Sequence, residues 1–519
     1  MTDKPQSHQL SAQDAQFVYM QTPDNLTHVM AIYICDPSSA PGGKVRFKDI
    51  IEHMRGRLKA SPMFKRKLYR LPLDIDHPYW VEDGHFDLEA HISHSRLPEP
   101  GDWRQFCIQV ARHHSKPLDM NRPLWDMYVV EGLDNIEGIA KGSYAILMRI
   151  HHATIDGTSG AHFFASISDI DSKGTPAIPL PEKETELAPL PDPAEILSRA
   201  LNATVASPVK LTQALLKLTP AILKNAQKNI TSGREGGEGK VPDTRFNGPV
   251  SPHKMFEAVT FNLDDLKAIR LKVDGATIND VVLAICSGAL RKYLSKHKEL
   301  PTESLVAVAP INARSRTGEE ANPGTNITAM TVKIWSDIAD PLECLEAIRD
   351  TTRETKAAKS GLSARIMTDI TKHIPGATMS GVARILNSER FAQKVSNLFV
   401  SNIPGPQVQL YMNGAKLTHQ YGLGPLGNGM GLFIATPSYN GAISFGIISD
   451  RKIMPDIEFF RECVQTAFAE LLDAKPVVGK GKTKAKALPA KKAAQPGDGS
   501  VMYRRVSKTP RKAQPNKVK

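Results

Sequence analysis

Five prolines within residues 177–193 divide the chain, because no regular helix or strand runs through so dense a series of fixed backbone angles. On either side, apolar residues recur with the periods of short strands and amphipathic helices in alternation. The chain has 519 residues, which is too long for one ordinary hydrophobic core. We therefore predict a mixed α/β protein with two halves, residues 1–175 and 246–474, joined by a linker over residues 176–245.

The linker contains an amphipathic segment of its own. Residues 194–230 carry an apolar stripe at helical spacing. This stripe is typical of a helix that crosses the folded body and packs on it. A helix that lies in a membrane interface has the same pattern, and the sequence leaves both interpretations open.

The net charge of +12 is concentrated at the C-terminal end of the chain. Residues 475–519 contain 14 Lys and Arg against the single acid Asp498, so residues 1–474 are close to neutral. We expect this tail to be disordered, because it is rich in Lys, Ala and Pro and poor in aromatic residues. It is either simply solvated or attracted to anionic lipid headgroups, and contact with nucleic acid is the least favoured interpretation.

Cysteine usage and hydropathy indicate the compartment. The five cysteines are widely scattered and never form a Cys-x-x-Cys pair, which is typical of core residues in a reducing environment rather than of disulfides or a zinc site. No apolar run reaches the roughly 18 residues that a membrane-spanning helix needs, and residues 1–9 are polar, unlike a signal peptide. We expect a cytoplasmic protein, free or attached to a membrane surface from the cytosolic side.

A predicted strand over residues 143–150 leads directly into the sequence His-His-Ala-Thr-Ile-Asp-Gly at residues 151–157. Histidine suits the role of a general base, because its ordinary pKa of about 6.5 leaves it mostly neutral near pH 7. Adjacent side chains at a strand end point to opposite sides of the sheet. We therefore expect His152 to face a substrate and His151 to hold the local structure.

The acid and the glycine of this motif shape the turn. Asp156 either orients the imidazole or braces the loop through an ion pair with an arginine, and Gly157 suits a positive φ or a close approach. Two satisfied core histidines are the structural alternative. A metal site is poorly supported, since adjacent histidines seldom converge on one ion, and no Gly-x-Ser-x-Gly elbow indicates a serine hydrolase. We expect a second pair, His113 and His114 in a helix predicted over residues 103–114, to lie at the surface.

The pattern His-His-x-x-x-Asp-Gly resembles the signature of the CoA-dependent acyltransferase superfamily, which includes chloramphenicol acetyltransferase and peptide-synthetase condensation domains. Further stretches narrow the resemblance to the bacterial wax ester synthase/diacylglycerol acyltransferase family, over roughly residues 8–472. These stretches are Pro123-Leu124-Trp125, Asn279-Asp280, Asn-Leu-Phe-Val-Ser-Asn-Ile-Pro-Gly-Pro at residues 397–406, Leu-Ser-Ala-Gln-Asp at residues 10–14 and Phe-Asn-Gly-Pro at residues 246–249. Ile403 stands where such proteins usually have Val, and the tail lies outside the resemblance.

This resemblance implies two chloramphenicol-acetyltransferase-like halves around a central channel that acyl-CoA and a hydrophobic alcohol enter from opposite faces. It implies direct transfer of a fatty acyl group to the hydroxyl of diacylglycerol or of a long-chain alcohol, with His152 as the general base. No cofactor and no metal are expected, because acyl-CoA is itself a substrate. The further stretches supply second-rank candidates for substrate or channel contacts: Pro123, Leu124, Trp125, Asn279, Asp280, Ser401 and Asn402.

Some of these candidates have an ordinary structural interpretation as well. Trp125 is alternatively a core residue, Asn279 a helix-start hydrogen-bonding residue, and Ser401 with Asn402 a brace for the second half. The lipid interpretation of residues 475–519 suits an enzyme whose substrates lie in membranes, and implies peripheral contact with anionic membrane or with lipid inclusions.

Two other classes of function stay open on the sequence alone. One is a binding or scaffold protein with an inactive acyltransferase fold, against which the intact His152 and Asp156 argue. The other is an amide-forming condensation enzyme, which usually sits beside carrier-protein modules that are not visible in this sequence.

Overall fold

A computed structural model describes residues 9–58, 61–154, 167–174, 241–312, 327–359 and 396–475, together with residues 194, 198, 380 and 381. Within these residues the strands are β1 (His28–Asp36), β2 (Arg66–Tyr69), β3 (Tyr79–Glu82), β4 (Ile92–Arg96), β5 (Trp125–Glu131), β6 (Tyr144–His151), β7 (Lys254–Asn262), β8 (Val306–Asn312), β9 (Ile327–Lys333), β10 (Leu398–Ile403), β11 (Tyr411–Met412), β12 (Ala415–Leu423), β13 (Leu432–Tyr439) and β14 (Ala442–Asp450). The longer helices are α1 (Ala12–Met20), α2 (Phe47–Arg57), α3 (Trp103–His114), α4 (Leu263–Leu271), α5 (Ile278–Lys296), α6 (Pro341–Lys359) and α7 (Ile457–Asp473).

The first large sheet has the strand order β11-β12-β1-β6-β5-β4, so β6 is an interior strand. It pairs antiparallel with β1 on one side and with β5 on the other. All residues of β6 are buried, which explains why this part of the sequence is continuously apolar instead of alternating. In the sequence, Pro123 begins an extended run that is predicted to pair with the strand leading into the histidines. The antiparallel pairing of β5 with β6 confirms this prediction.

Local chemistry sets the ends of several helices. The sequence predicts Ser11 and Thr277 as helix N-caps, each with an acid three residues later. The Ser11 hydroxyl accepts a hydrogen bond from the backbone N–H of Asp14, which caps α1 as predicted. Thr277 and Asp280 form the predicted reciprocal capping box at the start of α5. Helix α3 begins and ends at the predicted residues, with Asp102 as its N-cap.

The second large sheet has the order β7-β14-β13-β10-β8-β9. β10 runs parallel to β13 and β8, and the remaining neighbours are antiparallel. Helix α5 packs in the core beside this sheet and is buried on all sides through residues 280–287. A helix that is buried all round belongs to the interior of a large domain, in keeping with the apolar sequence of α5.

Two strands from the C-terminal half complete the first sheet. After β10 the chain forms the hairpin β11–β12, and β12 pairs with β1 over Met30 to Asp36. Gly422 of β12 lies against Gly446 of the second sheet, where an added Cβ on Gly446 would stand 2.2 Å from the Gly422 carbonyl oxygen. The two sheets therefore approach each other through bare backbone at this crossing.

The largest hydrophobic core is shared by both halves. It joins Met30 of β1 and Leu147 of β6 to the second sheet and to helices α5 and α7. The opposite face of the first sheet packs with α2 in a second core, and a third small cluster holds α1 against Leu124 and Ala153. All five cysteines are buried free thiols, as predicted for core residues.

Some predicted elements differ from the structure. The pattern over residues 86–92 predicts a strand, but the chain forms a 3-10 turn at Glu89–His91 and β4 begins only at Ile92. The pattern over residues 439–449 predicts a strand from residue 439, but β14 starts at Ala442 because Asn440 and Gly441, with φ of 44° and 79°, form the β13–β14 turn.

Other predictions fall largely or wholly outside the described residues. These are the helix that the sequence favours over residues 158–170, the amphipathic segment at 194–230 and the tail at 475–519. The proposed boundaries of the linker and of the tail therefore stay predictions.

Replacing Gly446 with Ala should destabilise the fold by about 1–3 kcal/mol, because the new methyl group collides with backbone that cannot move independently of the sheet. Gly56→Ala is the matched control, since Gly56 lies in α2 with nothing within 4 Å of an added Cβ. That variant should be neutral or stabilised by up to about 1 kcal/mol. Denaturant unfolding of both variants measures the difference, and equal midpoints would show that the crossing at Gly446 tolerates a side chain.

Candidate active site

The two histidines lie where β6 ends and a short 3-10 turn, His152–Thr154, begins. The backbone N–H of His151 donates to the carbonyl of Leu124 at 2.9 Å. The backbone N–H of His152 donates to the carbonyl of Thr27, also at 2.9 Å. Strands on both sides therefore hold the backbone of the motif in place.

The imidazole of His151 is fully buried and saturated with hydrogen bonds. Its Nδ1 accepts from the backbone N–H of Ala153 at 3.1 Å. Its Nε2 lies 2.9 Å from Oε1 of Gln21 and 3.0 Å from Oγ1 of Thr27. Because an amide N–H can only donate, Nδ1 carries no proton, and the neutral ring holds its hydrogen on Nε2.

Protonation of His151 is strongly disfavoured. Burial lowers its pKa to about 3, and the neighbouring His152 adds to the shift by charge repulsion. The ring is therefore neutral near pH 7, and its hydrogen-bonding groups are all occupied by neighbours in its own sheet and in the residues around α1.

His152 has a different environment. Its side chain is half-buried, and its ring stacks on Phe17 of α1, with centroids 3.8 Å apart and planes inclined by 20°. Within the described part of the chain, its buried Nδ1 has no hydrogen-bond partner. Burial lowers the pKa of His152 to about 4, against a smaller opposing contact with its own backbone. This imidazole is therefore unprotonated near pH 7 and able to accept a proton.

Asp156 and Gly157 lie outside the described residues. Their predicted roles in shaping the turn and in orienting His152 stay predictions.

The Pro123-Leu124-Trp125 stretch lies beside the motif. Pro123 and Leu124 are buried, and the Leu124 carbonyl is the acceptor for His151. Trp125 is almost fully buried, donates from Nε1 to the Phe64 carbonyl at 3.0 Å and stacks on His91. These contacts place Trp125 in the core on the α2 side of the sheet. Its predicted role as a channel wall stays a prediction.

The Asn279-Asp280 stretch begins α5. One oxygen of the buried Asp280 accepts from the backbone N–H and the hydroxyl of Thr277, and the other accepts from the Thr352 hydroxyl at 2.7 Å. Asp280 therefore caps α5 and joins it to α6. Its predicted role as a channel contact stays a prediction. Asn279 is half-buried in the first turn of the same helix.

Ser401 and Asn402 are half-buried in β10 of the second sheet. The carbonyl of Ser401 accepts a hydrogen bond from the hydroxyl of Thr436 on β13 at 3.2 Å. This contact belongs to the bracing of the second half.

A buried ionic network beside the motif has no counterpart in the sequence predictions. Nε of Arg149 in β6 donates to Asp126 of β5 at 2.9 Å, and a second guanidinium nitrogen contacts the other carboxylate oxygen. Arg149 also donates to the carbonyls of His113, at 2.8 Å, and of Lys116, at the end of α3. Burial alone would raise the pKa of Asp126, but hydrogen bonds from His113 and Arg149 hold it well below its usual range.

The prediction that His113 and His114 lie at the surface is wrong. Both are buried, because the last turn of α3 packs against the first sheet. His113 stacks on Tyr128 and lies 3.5 Å from Asp126, while the ring of His114 packs on that of His28. A signal existed in the sequence, since Asp126 and Arg149 are charged residues inside two otherwise apolar strands.

Comparison with known proteins agrees with this geometry. Residues 10–282 match the wax ester synthase/diacylglycerol acyltransferase catalytic domain, and residues 323–472 match the C-terminal domain of the same family. The chain belongs to the wax ester synthase/diacylglycerol acyltransferase family. It is accordingly an acyltransferase.

Individual relatives span nearly the whole of this acyltransferase. A Mycobacterium tuberculosis H37Rv protein named as a diacylglycerol O-acyltransferase is 32% identical, covering 89% of this chain and 90% of the relative. The wax ester synthase/diacylglycerol acyltransferase from Marinobacter aquaeolei VT8 matches with a TM-score of 0.62 at 23% identity, covering 89% of this chain and 98% of that one. Trichothecene 15-O-acetyltransferase from Fusarium sporotrichioides matches with a TM-score of 0.54 at 12% identity, covering 89% and 94%. The predicted two-sheet α/β fold is confirmed.

Two further findings concern the described part of this acyltransferase. No group of three or more His, Cys, Asp or Glu side chains there is placed to hold a metal ion. No helix there has both the length and the apolar character needed to cross a membrane.

The buried histidines predict how the stability of this acyltransferase depends on pH. Burial lowers the pKa values of His28, His114, His151 and His152 below the ordinary value, so protons bind the unfolded chain more readily. The stabilisation that these histidines give the folded state is complete above about pH 6.5, the ordinary pKa of histidine. It is lost as the pH falls toward the pKa values of the folded state. Between pH 7.5 and 5.5 these four histidines alone should lower the free energy of unfolding by about 5 kcal/mol, a little more than about 1 kcal/mol per histidine.

Denaturant unfolding at several pH values in this window measures the effect. His114→Gln should reduce the loss by about one histidine's share, roughly 1 kcal/mol. His253→Gln, which replaces an exposed histidine, should leave the pH dependence as it is. Equal stability at pH 5.5 and 7.5 would contradict the proposed burial of these rings as neutral groups.

Proposed function

We propose that this acyltransferase moves a fatty acyl group from acyl-CoA to the hydroxyl of diacylglycerol, of a long-chain alcohol, or of both. The observation that carries the proposal is the half-buried, neutral imidazole of His152 at the end of an interior strand, beside a second histidine whose bonds are all internal. Such an imidazole is placed to act on a substrate, whereas His151 is occupied by the protein. The names of the relatives support both acceptor classes.

In the proposed reaction, His152 removes the proton from the acceptor hydroxyl as its oxygen attacks the thioester carbonyl of acyl-CoA. We assign Nε2 as the basic nitrogen, because Nδ1 is buried. The tetrahedral intermediate collapses with loss of the CoA thiolate, which takes the proton from the imidazolium. The ester and free CoA account for all atoms, so neither an acyl-enzyme nor a cofactor is required.

Low basicity of His152 has a consequence for the rate. An imidazole with a pKa near 4 is fully available as a base at pH 7, but it holds a proton weakly. The protonated state then exists only while a negative charge develops on the substrate nearby, and it readily returns the proton to the departing thiolate. A pKa below the working pH also costs driving force for removing the hydroxyl proton, so the proposed reaction depends on that developing charge to stabilise the imidazolium.

The test is an acyl-transfer assay with the full chain. Purified protein is incubated with palmitoyl-CoA and competing diacylglycerol and hexadecanol, and the triacylglycerol and wax ester products are resolved. His152→Ala should lower kcat by about 100-fold or more, because general-base catalysis is worth that much. His94→Gln, a partly exposed histidine of β4, is the matched control and should retain activity.

Unchanged turnover in His152→Ala would remove the proposed general base. Absence of either ester from the wild-type reaction would instead leave a binding protein or an amide-forming enzyme, which an amine acceptor in the same assay distinguishes.

We further propose that residues 475–519 attract the protein to anionic lipid, on the cytosolic face of the membrane or on lipid inclusions. The tail carries 14 basic residues and one acid, while residues 1–474 are nearly neutral. Basic residues near an anionic surface contribute about 1 kcal/mol each, and salt screens the attraction.

Vesicle pelleting measures this attraction. The full chain should sediment with anionic vesicles at low salt but much less at high salt or with neutral vesicles. Deletion of residues 475–519 should abolish the salt-sensitive part. Pelleting that the deletion leaves unchanged would show that the tail does not mediate lipid contact.

A further inference from the structure

The stacked pair of Phe17 and His152 joins α1 to the motif across 135 positions of sequence. We propose that Phe17 is a positioning residue for the general base, an inference that rests on the proposed function of His152. Its ring lies against the imidazole of His152. It acts through the imidazole, by fixing the plane of the ring and covering one of its faces.

The backbone of Phe17 is tied to the other histidine of the motif. The hydroxyl of Thr27 donates to the Phe17 carbonyl at 2.8 Å and lies 3.0 Å from Nε2 of His151. Since His151 carries its hydrogen on Nε2, it donates toward Thr27 and toward Gln21, the residue that follows α1. The first helix is therefore linked to His151 through Thr27 and through Gln21, and it contacts His152 through the ring of Phe17.

Helix α1 is rigid enough to place that ring. Its start is held by the Ser11 cap, where the hydroxyl also donates to the Asp14 carboxylate at 2.6 Å. Its buried side, including Ala15 and Val18, packs in the small cluster with Leu124 and Ala153, next to the residues that bracket the histidines. A ring carried on such a helix has little freedom to leave the imidazole.

Two effects on catalysis follow from the stack. Fixing the imidazole keeps its basic nitrogen at the distance and angle that proton transfer requires, and small misplacements of reacting groups reduce rates steeply. Covering one ring face also removes water that would stabilise the imidazolium. His151 is the titratable neighbour on the same turn, and its neutral, fully bonded ring supplies no compensating charge.

Three variants of α1 test the proposal in the acyl-transfer assay. Phe17→Leu removes the ring and should lower kcat about 10-fold while KM for palmitoyl-CoA and for the alcohol changes less than about twofold. Phe17→Tyr keeps the ring and should restore kcat to near the wild-type value. Val18→Ala removes buried contacts from the same helix and cluster but keeps the aromatic ring, so it should lower the melting temperature while lowering kcat much less than Phe17→Leu does.

The pH profile of kcat/KM separates positioning from a general loss of structure. Without the ring, water reaches the imidazole and the pKa of His152 rises toward its ordinary value, so the acid limb in Phe17→Leu should move to higher pH. In Val18→Ala the acid limb should stay at its wild-type position. If Phe17→Leu does not fold, Phe17→Met takes its place in the same comparison.

The outcomes are distinct. Wild-type kcat and an unmoved acid limb in Phe17→Leu would overturn the inference, as would a loss no greater than that of Val18→Ala. His152→Ala runs in parallel: if it keeps activity, the proposed base itself is wrong. If it is inactive while Phe17→Leu is unaffected, only the role of Phe17 is wrong.

Discussion

The guanidinium of Arg149 is the buried charge around which the first sheet is organised. It lies two residues before His151 in an interior strand, with only 3% of its side chain exposed. It is tolerated there because it meets the Asp126 carboxylate on β5 and two carbonyls at the end of α3. Loss of one partner of such a pair leaves a buried charge unpaired, which typically costs about 3–5 kcal/mol. One side chain thus couples the register of two strands to the position of a helix.

The same charge influences the histidines around it. Burial is the main reason for the low pKa of His28, and repulsion from His114 and from Arg149 adds to it. For His114 the burial effect is reinforced by Lys254 and Arg149. A positively charged residue at the centre of the cluster therefore favours neutral imidazoles, and the hydrogen-bond network of the motif requires the neutral form of His151.

Much of the fold was predictable because it depends on neighbours in sequence. The limits of α3, the caps of α1 and α5, and the pairing of β5 with β6 all follow from periodicity, capping residues or a short connection. The motif itself also stood out, because two adjacent histidines at the end of a mostly apolar strand need a reason to be there. The family resemblance then supplied the fold that these elements form.

The rest depends on contacts between distant parts of the chain. His113 and His114 look like the polar end of an amphipathic helix, and only the sheet beneath α3 shows that they are buried. Asp280 reads as a cap, but its second oxygen meets Thr352, which lies 72 residues away. The stacking of Phe17 on His152 is likewise a contact between residues that are far apart in the sequence. No local pattern predicts which two side chains will meet across such separations.

The pairing of β12 with β1 also bears on the order in which the site is completed. Until residue 423 has been synthesised, β1 has β6 on one side and an open edge on the other. An unpaired edge strand is a template for pairing with other chains. Without β12, the N-terminal half contains both histidines but exposes β1 as an edge strand, whose backbone N–H and C=O groups can pair with another chain. The strand that carries His151 and the strand that covers the open edge of its sheet thus come from different halves of one polypeptide.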